Sequence, residues 1–377
     1  MSIHDTPQSN LAKLQNFQKL LLRYIGNPNK IDIHYNQVSE FIKTHKLIEN
    51  QYRVKEIVRL ITKIANNRHR TAGFFDRIRQ VMLLIKDHLK QFYSNDEIFY
   101  IIKSNKRLIL LFLEDSIITP DARIASIMSE PKYKFAFYPH YFLPEFRQFF
   151  SKELCDEINS DMHNMVENAD ATINDQDTFH EKRRIGENDH AICEIIRKDD
   201  IDGFTRYVAN RKLSLSATIP SSPFETNSFI GFKPTELIQY AAFFGAEKIV
   251  KYLFSNKIEL RPSLWFYTIH GSNPAIISLL EENKLEPKGD LAMECILESI
   301  KCHHHKITDY LHTKYFKPDK QTDEELFLRS IEVYNYLNFP SDLSKDFRYF
   351  FYCCKFDHYT FVSLLMKDNI DINKKMI

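Results

Sequence analysis

The densest run of reactive side chains is Cys302, His303, His304 and His305, with Asp309 and His312 just beyond. These are zinc-compatible ligand types. If 305–312 is helical, His305, Asp309 and His312 share one face at i, i+4 and i+7. Ile307, Tyr310 and Leu311 would then mark the buried side, so the reading is a polar turn followed by an exposed helix surface. His180-Glu181 begins like H-E-x-x-H, but Arg184 stands where the second histidine belongs, which removes the zincin helix. Cys353-Cys354 lacks C-x-x-C spacing and reads as a pair of small buried packing groups. Phosphate-cradling loops need glycines a few residues apart. The eight glycines lie at 26, 73, 186, 203, 231, 245, 271 and 289, never closer than 14 positions. No G-x-S-x-G elbow occurs. The expectation is a chain with no catalytic residues, no metal site and no cofactor.

The 377 residues are 44% hydrophobic, enough for a large core or one strung along a solenoid. Six scattered cysteines form no disulfide framework, the N-terminus has no apolar signal core, and no N-x-[ST] sequon occurs. The longest strongly apolar run, Leu108–Leu113, is far short of the ~20 residues a membrane helix needs. A reducing interior is expected: cytoplasmic, or else nuclear. Net charge is +1, but residues 1–110 carry 19 Lys/Arg against 9 Asp/Glu. Residues 53–107 hold 13 against 5, interleaved with Tyr52, Phe74, Phe75, Phe92 and Tyr93. Charge with stacking rings is the composition of nucleic-acid and acidic-membrane surfaces. These rings fall at helical spacing, however, and read better as core.

The fold class is all-α. Residues 11–25, Tyr35–Thr44, Tyr52–Ile64 and Phe74–Phe92 carry apolar stripes at helical spacing, broken at Gly26-Asn27-Pro28 and Thr71-Ala72-Gly73. Residues 1–95 are thus an N-terminal helical region. Residues 96–166 read as short helical pairs, 167–186 as an acidic and polar linker or loop, and 187–377 as a repeat array with an insert loop over 209–233.

The repeat is visible from an apolar pair near the end of each unit's second helix. Tyr252-Leu253, Leu279-Leu280, Tyr310-Leu311, Tyr336-Leu337 and Leu364-Leu365 recur at spacings of 27, 31, 26 and 28. Two short helices cannot bury their apolar faces alone, so such units stack.

IQYAAFFG (238–245) followed by EKIVKYLF (247–254) resembles the ankyrin pattern, with Ala241-Ala242 at the paired alanines and Gly245 at the helix-terminating glycine. DNIDIN (368–373) resembles the segment leading into a next turn. The stretch from Ile185 to Leu285 is similar to a divergent ankyrin-type domain of unknown function, of the kind expanded in parasitic protists; 97–118 and 286–377 share the pattern more loosely. The T-P-L-H signature is missing, the period is shorter than usual, and His303 and Asp357 replace the glycine in two units.

The resemblance implies an ankyrin-like helical-repeat solenoid that binds a protein partner and needs no cofactor. In that family the two positions between the alanines and the glycine commonly face the groove. Here they are Phe243-Phe244, Ile269-His270 and Lys355-Phe356. They form an apolar docking patch unless the shortened repeats bury them. Trp265, the only tryptophan, is either core or an interface anchor. The expected function is a protein–protein interaction scaffold or adaptor; the alternative is nucleic-acid or acidic-membrane binding through helices 53–107.

Overall fold

The structure, a computed structural model, describes residues 6–68, 70–167, 176–231, 233–316, 320–338 and 347–367. The regular structure among these residues is helical, apart from a single isolated antiparallel bridge, Thr218 to Glu236. The first four helices are α1 (Pro7–Gly26), α2 (Ile31–Thr44), α3 (Gln51–Asn67) and α4 (Phe74–Phe92). Next come α5 (Asn95–Ile102), α6 (Lys106–Glu114), α7 (Ala122–Met128), α8 (Pro131–Phe135), α9 (Tyr138–Tyr141), α10 (Leu143–Phe146), α11 (Lys152–Glu167) and α12 (Gln176–Ile185). Then follow the pairs α13 (Ala191–Arg197) and α14 (Ile201–Arg211), α15 (Leu237–Phe243) and α16 (Glu247–Ser255), and α17 (Leu264–Gly271) and α18 (Pro274–Glu282). The chain continues with α19 (Asp290–Lys301), α20 (His305–Tyr315), α21 (Lys320–Glu332), a 3-10 turn (Tyr336–Asn338), α22 (Phe347–Lys355) and α23 (Tyr359–Lys367). No helix among the described residues is long and apolar enough to cross a membrane.

Two compact units result. One holds the residues up to Ser94 and those from Lys288 on; the other is Asn95–Pro287. The C-terminal helices share the first unit because α23 packs on α1 and α3, and the 3-10 turn packs on α1.

In the first unit, local sequence explains α1 directly. Thr6 caps it by accepting from the Ser9 N–H, Pro7 sits in its first turn, and Leu14, Phe17, Leu21 and Ile25 form its buried stripe. α1 packs on α2 and α4, and also on α23 and the 3-10 turn; α3 packs on α4 and α23. The joints are polar. The buried Gln18 amide donates to His303 Nδ1 (3.0 Å) and Asn335 Oδ1 (2.9 Å), and its oxygen accepts from the Tyr336 N–H. Arg68 donates to the His303 carbonyl at 2.6 Å. Cys302, His303 and His304 are therefore buried, which corrects the expected polar turn, whereas Asp309 beyond them is exposed. Cys353 is buried as expected; Cys354 is exposed.

In the second unit the pairs α13/α14, α15/α16 and α17/α18 are helical hairpins. First helices pack on first helices (α13 on α15, α15 on α17), and second on second (α14 on α16, α16 on α18). The hairpin turns use the left-handed region: Asp199, Gly245 and Ser272 have φ of 49°, 68° and 54°. In the first unit His303 and Asp357, read as glycine substitutes, do the same at 55° and 60°. Neighbouring turns are tied together. Asp199 accepts from the Lys248 and Ile249 N–H groups at the start of α16, and Asn273 donates to the Gly245 carbonyl.

The stretch expected as a linker over 167–186 is helical from Gln176 to Ile185; residues 168–175 lie outside the described residues, as does DNIDIN. Composition misled here because Arg183 is buried. Its guanidinium forks onto both Glu145 oxygens (2.7 and 3.0 Å) and the Tyr141 carbonyl, while Tyr141 donates back to the Arg183 carbonyl.

Gly271 shows how closely the hairpins approach. A Cβ there would lie 2.1 Å from the Ala242 carbonyl oxygen, a backbone atom that has nowhere to go. Gly271→Ala is expected to lower the free energy of unfolding by ~2 kcal/mol or more in a denaturant titration. Gly26→Ala, whose Cβ would meet nothing nearer than Arg68 Nη2 at 3.5 Å, should stay within about 0.5 kcal/mol of the parent.

Candidate partner-binding surface

The groove positions of the second unit come first. α15 ends in Tyr240-Ala241-Ala242-Phe243, and the small alanines let α13 and α17 approach on both sides. Phe243 and Phe244 meet edge to face at 5.0 Å, and Phe243 lies 4.9 Å from the His270 ring of α17. These residues do not form an open patch. Phe243, Ile269 and His270 are buried, at 2%, 0% and 0% exposure.

The insert loop supplies the cover. Phe229 stacks on His270 at 4.2 Å and 30° and on Phe243 at 6.0 Å and 14°, and meets Tyr267 edge-on at 5.0 Å. Lys233 places its ammonium 4.1 Å from the Phe229 ring and 5.0 Å from that of Tyr267, a cation–π clamp. Phe229 was the residue sequence reasoning missed. The signal available was its chemistry: a ring in a loop otherwise rich in Ser, Thr and Pro.

Trp265 is core, fully buried with its indole N–H donated to the Leu285 carbonyl. Its amphipathic ring finds both an apolar bed and an acceptor there, so it anchors α17 rather than a partner. Phe244 remains half-buried, between the Tyr240 ring at 4.7 Å and the Arg197 guanidinium at 5.9 Å.

The loop has a second face. Thr218, Ile219, Ser221, Glu225, Ile230 and Lys233 line one wall of a cleft of about 690 Å³ whose other wall includes Phe135, His140, Glu157 and Asp161. Several of its polar groups are engaged within the same unit. Lys134 pairs with Glu157 at 3.0 Å, and Ser222 donates to Asp189. Glu225 accepts from the Asn188 and Asn227 N–H groups. His140 meets Asp161 at 3.1 Å, burial holds its pKa below the ordinary value, and its Nδ1 is closed to solvent. A general base must reach its substrate, and this nitrogen does not face the cleft's solvent.

In the first unit, Lys355 is exposed and lies over the Tyr352 and Phe356 rings; Phe356 is half-buried. The Phe356 carbonyl accepts from Arg59 and from the Tyr334 hydroxyl, and Asp357 pairs with Lys55 and Arg59. Beneath them Glu56 is fully enclosed and accepts from both the Thr360 N–H (3.0 Å) and the Thr360 hydroxyl (2.7 Å). The carboxylate thereby caps α23 at its N-terminus.

No family model matches this chain, and neither a curated protein nor a solved structure does.

Burial pushes the Glu56 pKa up to about 7, against the two Thr360 donors. Between pH 4.5 and 7 the folded chain keeps a proton that the unfolded chain has released, so this group's stabilisation declines as pH rises through that window. His140, His303, His305 and His358, all pushed down by burial, act the opposite way, and their unfolded forms go on releasing protons above pH 6.5. The Glu56 contribution is therefore read against Glu56→Gln, which keeps an acceptor for the Thr360 N–H and leaves the histidines unchanged. From pH 6.5 to 8 the parent should lose ~1 kcal/mol relative to that variant, measured by denaturant titration of both proteins at both pH values.

Proposed function

We propose that this protein is a non-catalytic protein-interaction scaffold, built as an ankyrin-like helical-repeat solenoid. The observation that carries the reading is the register of the hairpins in the second unit. First helices stack on first helices and second on second, so successive repeats present equivalent positions along one face. The left-handed Gly245 that closes α15 supports the reading.

The fate of the basic residues also supports a protein partner over a polyanion. Of the 13 Lys/Arg in 53–107, seven donate to groups of their own unit. Arg53, Arg59, Arg68 and Arg77 reach the carbonyls of Lys46, Phe356, His303 and Ile25. Lys55 pairs with Asp357, Lys106 reaches the Ala136 and Pro223 carbonyls, and Arg107 that of Arg184. Of the rings expected in the core, Phe74 and Phe75 are buried, Phe92 and Tyr93 are half-buried, and Tyr52 is exposed and stacked on Tyr359. A nucleic-acid surface needs cations aimed outward and rings open for stacking.

The test is capture from native lysate with the full chain as bait, at low and high salt, with and without nuclease. A protein partner retained through high salt and nuclease is the expected result, with capture reduced about tenfold by Phe244→Ala or Phe356→Ala if either ring is an anchor. Loss of all bound protein on nuclease treatment or salt would overturn the scaffold reading.

A further inference from the structure

The groove positions already hold a ligand, supplied by the chain itself. Phe229 lies against rings from two successive repeats, Phe243 of α15 and both Tyr267 and His270 of α17, and Lys233 closes over it. The loop on either side is held by bonds that do not involve these rings. Before the tip, Thr226 is fixed through the Gly186 carbonyl and Asn188 holds the Pro220 carbonyl. After it, the Ile219 N–H donates to the Thr235 carbonyl. At the tip Ser228 and Lys233 are exposed and Phe229 is half-buried, while the backbone is held from within: the Phe229 N–H donates to Asn227 Oδ1 and the Gly231 N–H to the Asn227 carbonyl. The backbone bonds therefore do not depend on where the Phe229 ring sits.

We propose that Phe229 is a built-in competitor for the repeat groove, and that the groove accepts in trans a turn-forming partner segment presenting an aromatic ring with a lysine four residues on. The partner's chemistry is inferred from the occupant. The site consists of aromatic faces from Phe243, Tyr267 and His270, which favour a ring by stacking and edge contact. The cation is held by the faces of the incoming ring and Tyr267 together, so it adds affinity only when that ring is seated. A groove filled in cis binds in trans more weakly by the fraction of time it stands open. Removing Phe229 therefore uncovers the site without altering its walls. This inference rests on the scaffold reading and specifies what that groove recognises.

The experiment uses the full chain and a fluorescent peptide reproducing residues 224–236, followed by anisotropy. Phe229→Ala should bind the peptide about tenfold or more tightly than the parent. The same peptide carrying Phe229→Ala should lose that binding. Equal binding by parent and variant, or none by a variant that melts like the parent, would overturn the proposal. Should Phe229→Ala fail to fold, Lys233→Ala decides, because the exposed clamp residue can be removed without opening the core. A several-fold gain in peptide affinity supports the competitor, and an unchanged affinity overturns it. If native capture persists identically in the parent and both variants while the peptide fails, the scaffold reading stands and this inference alone falls.

Discussion

Every helix leaves carbonyls at its end without partners, and in this protein basic side chains close many of them. Arg77 sends both Nε and Nη2 to the Ile25 carbonyl at the end of α1. Arg68 serves His303, Arg59 serves Phe356, Arg107 serves Arg184, and Lys106 serves Ala136. The chemistry follows from composition. With only 8 glycines in 377 residues, glycine-based caps are scarce, and a long cationic side chain is the alternative donor that also favours the negative end of the helix dipole. Burying such a cation is costly unless its donors are satisfied. Each of these contacts therefore fixes a helix end and a side chain together, and these positive charges turn inward.

The same shortage shapes the hairpin turns. Asp199, His303, Tyr334 and Asp357 adopt the left-handed conformation that Gly245 adopts freely, at a cost of roughly 1 kcal/mol each. At Tyr334 and Asp357 the offset lies one residue on: Asn335 donates to the Ile300 carbonyl and His358 bonds the Ile331 carbonyl. In the other unit Asp199 itself accepts from the Lys248 and Ile249 N–H groups, and Asn273, after the left-handed Ser272, donates to the Gly245 carbonyl. Neighbouring hairpins are thus tied by hydrogen bonds to backbone as well as by apolar packing, and Gly271 is kept as glycine where two turns touch.

Local features were legible in the sequence. The stripes of α1, α3 and α4, the break at Gly73, and the glycine-equivalent turns at His303 and Asp357 all depend on residues within a few positions of one another. What was not legible depends on distant ones. His303 is buried because Gln18, 285 residues away in sequence, bonds its ring. Phe243 and His270 are covered because Phe229 returns from the loop onto α15 and α17. Residues 176–185 looked like a solvated linker because a buried Arg183 bonded to Glu145 has the same composition as an exposed one. Charge and periodicity report local preference; they do not report which carbonyl or ring a long side chain will find.

The central claim is that the basic side chains of residues 53–107 that reach helix ends are structural. The most direct measurement is a titration of a fluorescein-labelled single-stranded DNA 20-mer with the full chain, from about 50 to 200 mM salt. If the arginines are committed to helix ends, binding stays weak and the log–log salt slope stays shallow, within about −1. Tight binding with a slope near −4 or steeper would mean that several of those cations release counterions at a nucleic-acid surface, and would contradict the account.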